Sequence, residues 1–277
     1  MNFEMRIVCL MENTTEKKDY KCEHGLCFYV ETAEHRLLAD TGASDSFLAN
    51  AQMLGVDLEK VDTVILSHGH YDHAGGILSF VQLNANATIL MQKSAMNEYY
   101  HKDETEERYI GIDPAIRELK QLKVLDGNAK MDDELFIFSQ VTGRRLWPSG
   151  NLVLKEKRGE SFVQDEFAHE QYLVITQGDK RVLISGCAHN GILNILDKYR
   201  EWYKEDPYAV FSGFHMRKKA GYTEEDIRTI KEIAEELKNF DTLFFTGHCT
   251  GEEPFSMMKD IMGDKLFYVH SGDEVVL

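Results

Sequence analysis

Residues 67–76 read SHGHYDHAGG and place three imidazoles and one carboxylate within six positions. They continue residues 61–67 (VDTVILS), whose apolar, β-branched character predicts a buried strand that delivers the histidines to a sheet edge. Neutral imidazoles and carboxylates are the standard ligands of zinc and similar divalent metals. The chain has only eleven histidines, so a chance surface cluster of this density is improbable. The stretch therefore predicts a metal-binding loop.

The spacing within this loop predicts two pairs of ligands. In a helical turn His68 and Asp72 stand at i and i+4, while His70 and His73 stand at i and i+3. A loop that enters a helix can thus aim the two pairs at two adjacent points. The two glycines that follow, Gly75 and Gly76, let the backbone pass close beneath the metals.

The charge balance of the chain limits the kinds of molecule that it is expected to bind. Lysine and arginine number 31 against 47 acidic residues, which gives a formal net charge of −16. Such an acidic surface repels phosphate backbones and anionic lipid, so we expect neither nucleic-acid nor membrane partners. A small-molecule substrate, even an anionic one, remains open because a buried metal reverses the local field. The oligomeric state is left open.

The amino-acid composition, together with the lack of a recognisable membrane span or signal peptide, predicts a globular protein of the cytoplasm. The chain is 43% hydrophobic with four prolines, and no run approaches the roughly 18 apolar residues of a membrane span. Residues 1–10 carry an acid and lack a cleavage site, which favours a first strand over a signal peptide. Five cysteines are an odd count, so a reducing compartment is expected. Cys22 and Cys27 flank His24, an arrangement that could be a metal knuckle, but no second ligand pair follows at the right spacing, so two ordinary thiols near a hairpin are expected.

The pattern along the chain favours one domain over residues 1–277. Strands, hairpins and helices alternate without repeats or linkers, notably a hairpin at 173–185, a capped helix from Thr223 and a strand at 241–246. We expect two facing sheets with helices outside. Charged residues on a helical period around 92–122 predict a solvated helical insertion or lid.

Five motifs occur in a fixed order along the chain: residues 40–47 (DTGASDSF), 67–76, 186–192 (GCAHNGI), 213–215 (GFH) and 247–251 (GHCTG). This series resembles the metallo-beta-lactamase superfamily. Within it, the chain is most similar to the branch of 7,8-dihydropterin-6-methyl-4-(beta-D-ribofuranosyl)-aminobenzene-5'-phosphate synthases. The resemblance spans roughly residues 40–251 and implies an α+β fold, a four-layer αββα sandwich with the metal site at one edge of the two sheets.

The resemblance also implies a set of metal ligands: His68, His70, Asp72, His73, His189 and His248. The last two follow apolar runs, so a loop can bring them to the same edge. Many members carry a bridging aspartate where this chain has Cys187, which is either a thiolate ligand or an inert buried cysteine. One metal or two are both open. His169 is a further candidate ligand.

Other residues near the motifs have predicted supporting roles. His215 follows an apolar strand and either ligates or donates a hydrogen bond to a substrate oxyanion, and Asp40 orients a ligand. Cys249 and Thr250 are candidates for lining the pocket. Three arginines are candidates for holding a phosphate or pterin-type anion, with plain surface roles as the alternative: Arg144, Arg145 and Arg217. Four histidines lack a motif and are predicted surface residues: His24, His35, His101 and His270.

These residues predict catalysis through a metal-activated water, because a divalent metal lowers the pKa of bound water to about 7. Asp72 would orient the water and carry its proton, and His215 would hold developing negative charge. The function hypothesis is a metal-dependent hydrolase or transferase acting on a small, phosphate-bearing or pterin-like molecule. Its cofactor is one or two Zn²⁺, with Mn²⁺ or iron as alternatives. Two other hypotheses stay open: an iron-dependent redox enzyme on the same fold, favoured by Cys187 and Cys249, and a non-catalytic metal-binding sensor.

Overall fold

Two seven-stranded sheets form the centre of the computed structural model, which describes residues 4–277. The first sheet contains, in spatial order, β18 (Glu274–Val276), β1 (Arg6–Met11), β2 (Cys27–Glu31), β3 (Arg36–Ala39), β4 (Thr63–Ile65), β5 (Thr88–Gln92) and β8 (Leu122–Leu125). The second contains β17 (Leu266–Tyr268), β16 (Leu243–Thr246), β15 (Ala209–Phe211), β14 (Lys180–Ile184), β13 (Gln171–Gln177), β10 (Leu135–Ser139) and β9 (Ala129–Lys130). The predicted first strand thus begins at Arg6, and residues 1–3 of that prediction lie outside the described part.

Side-chain alternation within the strands builds the layers. In β1, Ile7 and Cys9 face the second sheet, whereas Val8 and Leu10 face the helices of their own side. The core between the sheets joins residues of both, such as Leu37 and Phe211. Each sheet is covered on its outer face by helices: α1 (Ser46–Met53) and α3 (Ile77–Leu83) on the first, and α4 (Ile192–Tyr203), α5 (Glu224–Leu237) and α6 (Glu252–Met262) on the second. The α+β, four-layer αββα sandwich is confirmed.

Parallel pairing of neighbouring strands brings the loops that carry the motifs to one edge of the sandwich. Strands β3, β4 and β5 run parallel to one another, and so do β14, β15, β16 and β17. Their carboxyl ends therefore present successive loops at the same side of the sandwich. The predicted helix start at Thr223 is also confirmed, because its Oγ1 accepts from Asp226 N at 3.2 Å while its own N–H donates to Asp226 Oδ2 at 3.0 Å. No helix within residues 4–277 combines the length and apolar character that a membrane crossing requires.

The structure corrects the helical insertion expected around 92–122. This segment contains two strands, β6 (Glu98–Lys102) and β7 (Glu107–Tyr109), which join β11 (Leu154–Arg158) and β12 (Ser161–Gln164) in a third, four-stranded sheet. Its acidic run is the hairpin turn, in which Asp103 Oδ1 accepts from Thr105 N at 2.7 Å and Glu106 N at 2.8 Å. The charges alternate along an exposed hairpin, and over so short a stretch that pattern also fits a helix. Whether the segment acts as a lid stays a prediction.

Candidate metal centre

The metal-binding loop lies between β4 and the single-turn helix α2 (Tyr71–Ala74), whose N-cap is His70. His68 and His73 are completely buried, and the loop is held against the residue 40–43 turn. A side chain at Gly75 would place its Cβ only 2.1 Å from Ala43 O, so no larger residue fits there. The two glycines therefore serve the packing of one loop on another.

A first group of candidate ligands comprises His68, His70 and His189, whose rings lie close together. The donor atoms of His68 and His189 also cluster with that of Cys187, whereas the donor atom of His70 clusters with those of Asp165 and His169. The ring centroids of the group lie 4.6 Å apart for His68 and His70, 4.8 Å for His68 and His189, and 5.0 Å for His70 and His189. The Nε2 atoms of His68 and His189 are 3.3 Å apart. His189 follows β14, so the loop after a central strand of the second sheet meets the loop from the first.

A second group comprises Asp72, His73 and His248. Asp72 Oδ2 lies 3.4 Å from His248 Nε2 and 3.7 Å from His73 Nε2. Cys187 Sγ is 3.2 Å from His73 Nε2, and its thiol also lies within 4.8 Å of the donor atoms of His68 and His189. Cys187 thus stands between the two groups, and the structure brings all six predicted ligands and this cysteine together.

Asp40 orients ligands in both groups. Its Oδ2 accepts from His73 Nδ1 at 2.7 Å and from the hydroxyl of Ser67 at 2.7 Å, while Oδ1 accepts from Ser67 N at 2.7 Å. Since the Ser67 hydroxyl donates to Asp40, its oxygen accepts from His68 Nδ1 at 2.8 Å. Both imidazoles therefore carry their proton on Nδ1 and turn Nε2 toward the centre, the usual arrangement behind metal-bound histidines.

Two asparagines hold the remaining strand-end histidines in the same way. Asn151 Oδ1 accepts from His189 Nδ1 at 2.9 Å, and its Nδ2 donates to His189 O at 2.7 Å. Asn13 Oδ1 accepts from His248 Nδ1 at 2.9 Å, and its Nδ2 donates to His248 O at 3.2 Å. Each amide fixes the tautomer of its histidine and leaves Nε2 with a free lone pair.

The donor set fits divalent metal ions. Within residues 4–277 the buried Nε2 atoms of His70 and His248 have no hydrogen-bond partner. The facing Nε2 atoms of His68 and His189 are both lone-pair acceptors, which only a cation or a shared proton between them satisfies. Buried polar atoms without partners are rare unless they have a function. Imidazoles, one carboxylate and one thiol are ligands that zinc, iron and related metals accept.

Burial and neighbouring charges lower the pKa values of some of these histidines and raise that of another. Burial, assisted by the nearby His169, lowers the pKa of His70 to about 3, and burial likewise lowers the pKa values of His68 and His189. Burial also opposes charge on His73, but the carboxylates of Asp40 and Asp72 outweigh it and raise its pKa to about 9. Burial raises the pKa of the Cys187 thiol.

His215 lies beside the first group without joining either. It follows β15, and its ring centroid is 4.2 Å from that of His189. Its Nδ1 is buried and has no hydrogen-bond partner in the described chain. A ring nitrogen of His215 is also within 4.8 Å of the thiols of Cys187 and Cys249. Its position agrees with a residue that contacts substrate, and its role stays a prediction.

His169, the further candidate ligand, has both ring nitrogens engaged. Its Nδ1 accepts from Gly69 N at 2.9 Å, and its Nε2–H donates to Asp165 Oδ2 at 3.0 Å. The ring is buried 5.3 Å from that of His70. His169 thus supports the metal-binding loop. Its donor atom also lies within 4.8 Å of those of His70 and Asp165, so its role as a ligand stays a prediction.

Four of the turns at this edge have strained backbones. Asp40, Ala188, His215 and His248 adopt positive φ values of 62°, 53°, 49° and 50°, a region that favours glycine. Each lies in a loop that follows a strand of one of the sheets. Such strain accumulates at functional sites, where the surrounding structure enforces it.

The other predicted residues have mixed outcomes. Arg144 pairs with Glu166, and Arg145 pairs with Asp197 and Glu236, so both arginines are neutralised. Arg217 is exposed and has no ion pair in the part of the chain that is described. Cys249 is buried beside Cys187, and Thr250 Oγ1 accepts from Phe214 N at 2.8 Å, which stabilises the neighbouring turn.

The four histidines predicted for the surface differ among themselves. Three are half-buried, and each faces a carboxylate: His35, His101 and His270. His24 is exposed as expected, yet its Nε2 is 3.4 Å from Asp72 Oδ2. Asn13 and Asn151 were not among the predicted site residues, because neither lies near a motif and no local pattern marks them.

We expect each supporting asparagine to matter for one metal only. In a His248→Ala background, which retains the first group, Asn151→Leu should weaken metal binding by about 10–100-fold because His189 loses its fixed orientation. Asn13→Leu is the matched control, since its partner histidine is already gone, and should change nothing further. Competition with a chromogenic chelator measures both, and equal effects of the two substitutions would contradict the assignment.

Comparisons with known proteins give the relatives of this chain. The Metallo-beta-lactamase superfamily profile matches residues 20–248. An uncharacterised protein of Methanocaldococcus jannaschii is 27% identical over 96% of this chain and 98% of its own length. The 7,8-dihydropterin-6-methyl-4-(beta-D-ribofuranosyl)-aminobenzene-5'-phosphate synthase of the same organism is 23% identical over 90% of this chain and 88% of its own. The crystal structure of Tm1679, a metal-dependent hydrolase of the beta-lactamase superfamily, is 30% identical, covers 98% of both chains and superposes with a TM-score of 0.79.

Proposed function

Since this chain belongs to the metallo-beta-lactamase superfamily, we propose that it is a metal-dependent hydrolase that acts on a small molecule through a metal-activated water. The observation that carries the proposal is the convergence of imidazole Nε2 atoms on two adjacent points with Cys187 between them. The similarity to Tm1679, a metal-dependent hydrolase, supports it. We propose two zinc ions as the cofactors, held by His68, His70 and His189 and by Asp72, His73 and His248.

Metal ions at these points would activate a water and polarise the bond to be cleaved. The chain itself supplies the groups that position the water and the substrate. Burial opposes ionisation of Asp72, but the imidazoles of His73 and His248 hold the pKa of its carboxyl well below the usual range. Asp72 therefore stays ionised and can accept the hydrogen bond that orients a water. In this proposal His215 hydrogen-bonds the substrate oxygen on which charge develops. Its ring lies 4.2 Å from that of His189, and its Nδ1 has no hydrogen-bond partner among the described residues, which supports this role.

The substrate in this proposal is phosphate-bearing or pterin-like. Arg217 supports an anionic substrate, because its side chain is exposed. Its backbone N–H donates to Cys249 O at 2.8 Å, and Cys249 directly follows His248. The Methanocaldococcus jannaschii synthase supports the pterin-like part and keeps a transferase reaction within the proposal. Arg144 and Arg145 contribute nothing to it, since acidic partners already neutralise them.

Elemental analysis of the purified protein tests the proposal first. We expect two equivalents of zinc in the wild type, and a loss in both His70→Ala and His248→Ala, which remove one ligand from each group. His35→Ala, a histidine that faces Asp62 and Asp132 instead, is the matched control and should keep both metals. The same four proteins are then assayed on phosphoester and lactone substrates. A wild type without metal, which takes up none on titration, would overturn the proposal.

A redox function is the second candidate, favoured by one observation. Cys187, Cys249 and His215 place two sulfur donors and an imidazole within 4.8 Å of one another, and thiolates are good ligands for iron. The same elemental analysis separates the two functions. Iron in place of zinc, accompanied by visible absorbance, would replace the hydrolase by a redox enzyme.

A further inference from the structure

The β1–β2 loop, residues 12–26, wraps the outer side of the second ligand group. Asn13 fixes the tautomer of His248, and the carboxylate of Glu12 accepts from the backbone N–H of the same histidine. This loop therefore already supports a metal ligand from outside the five sequence motifs. Its far end approaches the site a second time.

That far end is anchored on both sides of His24. On one side, Glu23 Oε1 accepts from Ala43 N at 3.0 Å and Ser44 N at 2.9 Å. On the other side, Leu26 N donates to Asp72 O at 3.2 Å. A Cβ at Gly25 would lie 2.9 Å from Asp72 O, so the backbone at Gly25 is pressed directly against that of the ligand. The position of His24 is thus determined by its neighbours although its side chain is 48% exposed.

From this position the imidazole of His24 faces the second group. Its Nε2 lies 3.4 Å from Asp72 Oδ2, the same oxygen that faces His248 Nε2 at 3.4 Å and His73 Nε2 at 3.7 Å. The rings of His24 and His248 stack with centroids 4.9 Å apart and an interplanar angle of 24°. The donor atoms of His24, Asp72 and His248 all lie within 4.8 Å of one another.

The buried partner in this cluster lacks a hydrogen bond. His248 Nε2 is inaccessible and unpartnered among the described residues, and its Nδ1–H is already committed to Asn13. Its lone pair therefore points at the space that His24 and Asp72 share. A divalent cation there would satisfy the imidazoles and the carboxylate oxygen at once.

We propose that His24 is a further ligand of the metal held by Asp72, His73 and His248, so that it closes the outward face of that site. The inference rests on the proposed metal-dependent function. With His24 the second metal has three imidazoles and a carboxylate, the four protein donors typical of a closed site. Apart from Cys187, whose thiol lies between the two groups, the first metal has the imidazoles of His68, His70 and His189. Three protein ligands are typical of a site that keeps a position open for the reaction. The two metals thus have different tasks.

The test measures metal affinity rather than turnover. In His24→Ala we expect one of the two zinc equivalents to bind about 10–100-fold more weakly in competition with a chelator, while the other is unchanged. His24→Cys should restore most of the affinity and, with Co²⁺ in place of zinc, add the absorption of a new thiolate ligand. His35→Ala serves as the control. Unfolding curves of the metal-free proteins show whether each variant is folded.

A double substitution tests whether the loss of zinc affinity in His24→Ala concerns the second metal. In a His248→Ala background, where that site is already disrupted, adding His24→Ala should leave the affinity of the remaining equivalent unchanged. Two equivalents with wild-type affinity in His24→Ala would overturn the role of His24 and leave the proposed hydrolase intact. A wild type that binds no metal at all would instead overturn the proposed function.

Discussion

Asp40→Asn is expected to weaken binding of the second metal about 10–100-fold and to lower the free energy of unfolding of the metal-free chain by about 3–5 kcal/mol. Asp40 is 2% exposed and accepts from His73 Nδ1 and from the hydroxyl and backbone N–H of Ser67, each at 2.7 Å. Asparagine keeps one acceptor and tolerates the φ of 62°. Its NH₂ group, however, would face a donor, and the buried imidazolium of His73 would lose its closest negative charge.

Chelator competition and denaturant unfolding measure the two effects, and NMR titration of His73 reports their common cause. The pKa of His73, about 9 with Asp40 in place, should fall in the metal-free variant because burial is then less opposed. Asp57→Asn is the control, since Asp57 is an exposed residue whose salt bridge is with Lys60. An unshifted His73 together with wild-type affinity would show that Asp40 does not orient this ligand.

Acid is expected to destabilise the metal-free chain steeply below pH 6.5. The unfolded chain protonates its histidines near this pH, whereas folded His70, with a pKa of about 3, does not. Between those values each such imidazole lowers the free energy of unfolding by about 1.4 kcal/mol per pH unit as the pH falls. His68 and His189 are shifted in the same direction and add to the slope.

His73 has the opposite effect on stability, and its effect appears above pH 6.5. Its folded pKa of about 9 exceeds the ordinary value of 6.5, so its contribution is complete below pH 6.5 and is lost as the pH rises through 9. The metal-free chain should therefore be most stable near pH 6.5. Unfolding by denaturant from pH 4 to 9, with a chelator or with zinc, measures this, and His70→Gln should flatten the acid side. A stability independent of pH across this range would contradict the assigned shifts.

The parts of the site that the sequence predicts are those encoded locally. His68, His70, Asp72 and His73 share one loop, so they were expected to lie close together. The pairs predicted from helical spacing were wrong, because the helix begins only at Tyr71 and the loop brings His68 to His70 and Asp72 to His73. His189 and His248 follow apolar runs that had to be strands, which places them at the same edge of the sheets. For Cys187 the sequence allows a ligand or an inert buried cysteine, and the thiol lies between the two groups in the structure.

The parts that were missed depend on contacts between distant segments. Asn13 and His248 are separated by 235 positions, and Asn151 reaches His189 across 38, without any motif to mark either asparagine. Arg144 and Arg145 are neutralised by acids that only the fold brings near. The helix predicted around 92–122 was wrong at residues 98–109, which form a hairpin, because a short charged stretch fits a helix as well as a hairpin.

The separation of Asn13 from His248 also sets the order in which the centre can be assembled. The ligands of the first group and the asparagine that orients His189 all lie between residues 68 and 189. The second group needs the β1–β2 loop from the beginning of the chain and His248 from near its end. A growing polypeptide therefore contains every part of the first site well before His248 has been synthesised. If the centre holds two metals as proposed, the two sites can be filled at different times, the second only after both of these segments have been synthesised.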